Sequence, residues 1–336
     1  MNSKVLLSTA GILALASLPL KAQTSVSTPI VGFQKTTVPV GLTAAGLPFL
    51  NPTLLSGAVS GVSGNTVTFG SGVSNVGSLL TSGEPYYIEV YSGPLKGDRF
   101  DVDTAATISA ANTTLLLNAS SENNTLAVAS IGSDLNGANI VLRKHFTLSQ
   151  VQGLFSTTLV ASANPLLADQ VNVFSSSGAF VAYFLRSASE WRKAGDTANY
   201  SKLPIPPGSG ILLNKKGSTT ELTVTGAIRQ NDFAAPYKAG LQFLAPSVPV
   251  DRTPIQIGMI PGTNGWVGNL NPLLADQISI LENGAFVAYS LRPDGTIRKS
   301  GSTTNFNATA LLNGSTAYLV KRQNADANIV ETQIVP

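Results

Sequence analysis

Gln277-Ile-Ser-Ile-Leu-Glu-Asn-Gly-Ala-Phe-Val-Ala-Tyr-Ser290 is the stretch that decides the fold. Ile278 and Ile280 alternate with polar neighbours, the two-residue period of a strand with one buried face. Glu282-Asn-Gly284 then offers residues that accept positive φ, as a tight hairpin turn requires, and Ala285–Ser290 reads as the return strand. Pro293-Asp-Gly295 marks the next turn, with Thr296–Lys299, Thr316–Lys321 and Asn328–Ile334 as further short strands. The pattern is a meander of about five strands, which predicts a sandwich or partly open barrel.

The same pattern occurs earlier in the chain. Asn164-Pro-Leu-Leu-Ala-Asp-Gln170 recurs as Asn271-Pro-Leu-Leu-Ala-Asp-Gln277, and Gly178-Ala-Phe-Val-Ala-Tyr183 as Gly284-Ala-Phe-Val-Ala-Tyr289. Leu185-Arg186 matches Leu291-Arg292, and Arg192-Lys193 matches Arg298-Lys299. Thr147-Leu-Ser-Gln150 and Thr253-Pro-Ile-Gln256 are both capping boxes, so each copy is expected to open with a short helix. A second correspondence, Gly46-Leu-Pro-Phe-Leu-Asn-Pro52 with Gly240-Leu-Gln-Phe-Leu-Ala-Pro246, lies 194 residues apart rather than about 106. One duplicated unit with an 88-residue insertion in its first copy accounts for both spacings.

The expected organisation is therefore a leader at 1–22, unit A at 23–58 plus 147–224, an insert at 59–146 and unit B at 225–336. The insert carries its own strand signals, among them Asn65–Phe69, Pro85–Tyr91, Asp98–Asp103, Thr113–Leu117 and Ala138–Arg143. It is large enough for a small barrel-like domain. The expected fold class is all-β: duplicated meander or sandwich-like units around an inserted barrel-like domain.

Residues 1–22 have the build of a cleaved secretory signal, with Lys4 ahead of an apolar run, Pro19 as breaker and Ala22 as the small residue before Gln23. No other segment is long and apolar enough to span a bilayer as a helix. The chain is thus expected to be secreted or extracytoplasmic. Its 336 residues contain no Cys and a single His, which removes disulfides, thiolate metal sites and cysteine nucleophiles. Only 12% of residues are charged, and no cofactor is implied. Residues 23–142 carry 3 basic and 7 acidic groups against 16 and 11 in 143–336, with the basic ones scattered. That distribution disfavours nucleic acid as a partner.

The layout resembles an uncharacterised family of exported bacterial β-repeat proteins. The shared features are the signal peptide, Val31-Gly-Phe33, the Pro85-Tyr-Tyr87 strand, Ala168-Asp-Gln170 and Pro206-Pro-Gly-Ser-Gly210. Unit B has Leu312-Asn-Gly314 in place of the double proline. The resemblance implies an exported β-protein and carries no activity.

Candidate site residues follow from chemistry and from duplication. Asp169 and Asp276, with Arg186 and Arg292, would form a carboxylate–guanidinium clamp for a polar ligand, present once per copy. Because a scaffold needs its turn chemistry in every copy, a structural role for both aspartates is the favoured reading. Trp266, in the polar loop Gly262–Asn269, is the candidate aromatic platform for a sugar, with Tyr86 and Tyr87 beside it as candidates. Asp98, Asp101 and Asp103 are the candidate calcium ligands, weighed against a solvated acidic strand. No nucleophile elbow, phosphate loop, dinucleotide fingerprint or zinc-protease motif occurs. The sequence therefore reads as a non-enzymatic surface or extracellular protein with a structural or adhesive role, through self-assembly or cell-surface glycan. A carbohydrate-binding module is the alternative, followed by a glycan-active hydrolase, whose paired carboxylates meet only in space.

Overall fold

The computed structural model describes residues 30–331 except 111, 310, 325 and 326; the expected leader at 1–22 lies outside them, as do the last five residues. The fold is all-β, with two short α-helices, Thr104–Ile108 and Leu148–Gly153, among the described residues. No helix of the described residues is long and apolar enough to cross a membrane.

Each copy builds a five-stranded antiparallel sheet of the same order. In the first copy the strands run Glu190–Lys193, Phe180–Ser187, Gln170–Phe174, Ile211–Lys215, Gly41–Ala45; in the second they run Ile297–Lys299, Ala285–Leu291, Gln277–Glu282, Tyr318–Arg322, Gly240–Leu244. The hairpin that opened the sequence reading pairs in register from Gln277–Ser290 to Glu282–Ala285, and Asn283 and Gly284 both take positive φ, 50° and 82°. A second, smaller sheet closes each copy: Val31–Val38 against Thr220–Ile228 in the first, Phe233–Tyr237 against Ala327–Glu331 in the second. Trp191, Leu148, Val171 and Leu213 fill the first core, and Trp266, Tyr237, Ile278 and Val320 the second.

Strand pairing refines the internal match. Gly41 lies opposite Lys215 as Gly240 lies opposite Arg322, so Gly41, not Gly46, is the structural counterpart of Gly240. Both glycines take positive φ, 101° and 91°, which is the signal their shared place demands. The expected helix forms in the first copy, where Thr147 and Gln150 complete a reciprocal capping box. In the second copy Thr253 and Gln256 make the same two hydrogen bonds, but the segment is only a turn. Gly258, at φ 78° where the first copy has Gln152, turns the chain away before a second helical turn can form.

The two copies face each other across a local pseudo-two-fold axis. Ala245 N–H donates to Gly208 O at 2.8 Å, and the equivalent Gly46 N–H donates to Ser315 O at 2.8 Å. Equivalent residues meet themselves: the rings of Phe180 and Phe286 stack at 6.3 Å, and a Cβ on Gly210 would lie 2.4 Å from that of Ala317. Ala44, Leu212, Phe243 and Leu319 bury the rest of this junction. Reciprocal contacts of this kind are the mark of an isologous interface, here inside one chain.

The insert forms a six-stranded antiparallel half-barrel, ordered Arg99–Asp101, Tyr86–Val90, Asn139–Lys144, Thr53–Ser63, Thr66–Phe69, Thr114–Leu116. Its core holds Tyr86, Ile88, Phe100, Leu115 and Leu142. It is docked on the second copy by a backbone bond from Ala234 N–H to Gly97 O, 3.1 Å, by Lys96–Asp232 at 3.0 Å, and by a buried Glu89–Arg229 pair. Gly97 has φ 93° and a Cβ there would lie 2.8 Å from Ala234 N, so that approach requires glycine.

Candidate functional site

Asp169 and Asp276 occupy one structural niche twice. Asp169 accepts from the backbone N–H of Val160 at 2.7 Å and Lys216 at 2.6 Å; Asp276 accepts from Val267 at 2.9 Å and Gln323 at 2.7 Å. Each staples the segment before the strand to the end of a neighbouring strand. The cation beside Asp169 is Lys215, Nζ to Oδ2 2.6 Å, and beside Asp276 it is Arg322, Nε to Oδ2 3.4 Å. Burial holds the Asp276 carboxyl above its ordinary value, against the opposing pull of the two amides and of Arg322. The expected clamp with Arg186 and Arg292 does not form. Arg186 sits 3.6 Å from Glu190, and Arg292 donates to the carbonyl of Leu270. Arg186 is exposed and Arg292 half-buried, whereas both aspartates are buried beside Lys215 and Arg322.

The expected aromatic platforms are core residues. Trp266 is 1% exposed, packs 5.6 Å from Tyr237, and carries the Arg322 guanidinium over its ring at 4.3 Å. The polar loop around it folds inward because the indole fills the end of the second core. Tyr86 packs in the half-barrel with its hydroxyl accepting from Thr81 N–H at 2.9 Å. Tyr87 is buried on the opposite face of the same strand, 4.6 Å from the His145 ring. None of the three offers a face to a glycan.

The three acidic residues of the insert also separate. Asp103 caps the helix Thr104–Ile108, accepting from Ala106 N–H at 3.0 Å. Asp98 is buried at the start of its strand. Asp101 takes hydrogen bonds from Ser121 at 2.6 Å and Asn123 at 2.8 Å, and pairs with His145 Nε2 at 2.7 Å. Burial works to raise its pKa, yet the His145 contact and the Ser121 and Asn123 bonds together hold it below the ordinary carboxylate value. No cluster of three metal-ligating side chains is present among the described residues, so these aspartates do not assemble a calcium site. Ser121 bonds to the carboxylate rather than to the imidazole, so the Ser–His–Asp set lacks the geometry of an activated nucleophile.

A cleft of about 270 Å³ opens where the two copies and the insert meet. Phe174 and Phe243 give it apolar walls, the Pro206–Gly210 turn one rim, and Ser175 and Ser176 a polar hairpin tip. The insert contributes Arg99 and the turn Glu122-Asn-Asn124. Glu122 is the single carboxylate in this lining, where a glycosidase needs a pair. Arg99 was not singled out by the sequence reading. It occurs once, and its strand neighbours Asp98 and Asp101 suggested an acidic face. Its position behind Phe233 follows only from how the insert docks. No family model, curated protein or solved structure matches the chain.

Proposed function

We propose that the chain is an exported, non-enzymatic β-repeat protein with a structural or adhesive role at the cell surface or in the extracellular space, of the kind its sequence resembles. The carrying observation is the split use of the repeated Asn-Pro-Leu-Leu-Ala-Asp-Gln motif. In both copies the alanine and aspartate are buried and the glutamine bonds back to the proline carbonyl. The leucines between them point outward: Leu166, Leu167, Leu273 and Leu274 are 73, 61, 71 and 55% exposed. The core gives a physical reason for the aspartates and none for four exposed leucines, which instead fit a contact surface.

Each pair stands at the end of its sheet remote from the pseudo-two-fold junction, because the strand that follows runs from the leucine tip to Phe174 or Leu281 at that junction. One chain thus presents two equivalent apolar tips. The occupant they fit is the tip of a second copy, and repetition of that contact builds a chain of molecules.

Sedimentation velocity on the secreted form over a range of concentrations tests this. Association that grows with concentration is expected. Leu166→Asp with Leu167→Asp restricts it to dimers, and adding Leu273→Asp with Leu274→Asp leaves monomers. A strictly monomeric parent chain that also fails to bind envelope material overturns the proposal.

A further inference from the structure

We propose that the cleft roofed by the insert binds a small anionic sugar, with Arg99 as the partner of its carboxylate or phosphate. The first support is a comparison within the chain. The pseudo-two-fold axis generates two equivalent grooves, in which Phe174, Leu241, Phe243 and Gly210 of one correspond to Leu281, Leu42, Ala44 and Ala317 of the other. They have similar volumes, about 270 and 290 Å³, near the small end of ligand pockets. Only one receives a wall from the insert. That wall converts a shallow apolar groove into a cleft with charged and amide groups on one side.

The second support is the state of Arg99. It is 4% exposed, and no carboxylate of the described residues lies within ion-pair distance of it. Its hydrogen bond is a long one, Nη1 to Gly97 O at 3.4 Å, and its guanidinium lies 4.0 Å from the Phe233 ring centre. Arg229 packs on that ring too, at 4.5 Å, but is neutralised by Glu89. Burial lowers the Arg99 pKa to about 10, against the opposing pull of Tyr87, Asp98, Glu331 and Asp101 beyond ion-pair distance, so it remains a cation at neutral pH. A desolvated guanidinium with carboxylates near it but none in direct contact, at the wall of an open cleft, has room for a planar or tetrahedral oxyanion as its direct partner.

The remaining lining specifies the body of the ligand. Ser175, Ser176 and Asn123 supply hydroxyl and amide groups, Glu122 accepts from hydroxyls, and Phe174 and Phe243 offer apolar faces to ring carbons. A hydroxylated ring bearing one anionic group satisfies all of these.

Calorimetric titration of the whole secreted chain with glucuronate, glucose 6-phosphate and glucose is the test. Binding of glucuronate or glucose 6-phosphate is expected, and which of them binds tells carboxylate from phosphate. Glucose should bind about tenfold more weakly or less, and Arg99→Gln should weaken the acid by about tenfold or more. Because Arg99 is buried and its variant risks misfolding, Ser176→Trp on the exposed hairpin is the second probe, expected to block the cleft. Leu42→Trp, which fills the equivalent groove, should leave affinity unchanged. Failure of both acids to bind at millimolar concentration overturns the proposal, as does equal binding of glucose. So does unchanged affinity in Ser176→Trp, or its loss in Leu42→Trp.

Discussion

The niche around Asp169 and the niche around Asp276 share a backbone and differ in filling. In the first copy the cation is Lys215 and the neighbouring core residue Leu159; in the second they are Arg322 and Trp266, at the same places in the strand order. Lysine reaches its carboxylate directly at 2.6 Å, and a void of about 10 Å³ remains beside it, lined by Leu159 and Asp169. Arginine lies farther from its carboxylate, 3.4 Å, because its plane is shared between the indole face and the carbonyl of Asn264, to which Nη2 donates at 2.7 Å. Two side chains have changed together. A planar cation needs a planar partner to lie on, and a point charge does not. The difference explains why Trp266 is internal: it is the other half of Arg322.

The largest effect should come from removing the carboxylate that both niches keep. Asp276→Ala and Asp169→Ala each strand a buried cation and two amides, and each should cost about 3–5 kcal/mol in urea unfolding. A cost under about 1 kcal/mol in either copy would mean that the cation, not the carboxylate, organises that niche. Next comes exchange of the fillings. The costs of Trp266→Leu and Arg322→Lys made singly should sum to more than the cost of the double variant, with a coupling of about 0.5–3 kcal/mol in a double-mutant cycle. Additive effects would show that the pairing of Arg with Trp carries no energy of its own.

The smallest effect is one of pH, and it contrasts the niches of the body with that of the insert. Asp276 has its carboxyl raised by burial, so its share of stability is present in acid and falls as pH rises through its folded value. Asp101 is held low despite burial, by His145, Ser121 and Asn123, so its share is full above its unfolded value, about 4, and is lost as pH falls through the folded one. Asp101→Asn should therefore flatten the acid limb of a stability–pH curve measured by chemical unfolding. An acid limb unchanged in slope would show that the Asp101–His145 contact does not set it.

Much of the fold was legible in residues 277–290, where alternation and Asn283-Gly284 fix a hairpin by local rules alone. The duplication was legible for the same reason: short motifs such as Ala-Asp-Gln must satisfy the same turn amides twice. The Gly41 and Gly240 correspondence was not, because Gly46-Leu-Pro-Phe-Leu is the better letter match and only strand pairing shows which glycine begins the strand. The second helix failed on a single residue, Gly258.

Site residues fared differently from strands. A polar side chain's role depends on what faces it, and the partners here lie far off in sequence: Lys215 for Asp169, Arg322 for Trp266, Asn231 and Arg229 for Glu89. The insert's excess of acid looked like a charged surface. Folding instead spends Glu89 and Asp101 on buried partners, Asp103 on a helix cap and Glu84 on Lys144 and Lys202.

The sequence by itself determined an all-β chain with a duplicated meander, an interrupting β-segment and no cysteine chemistry. Those properties rest on period, turn residues and composition, which act over a few residues. The tertiary structure alone decided that the copies meet about a pseudo-two-fold axis, that the insert closes only one of the two grooves beside it, and that Arg99 stands there without a direct ion pair. Each depends on surfaces brought together across many tens of residues, and contacts of that range leave no periodic trace in the chain.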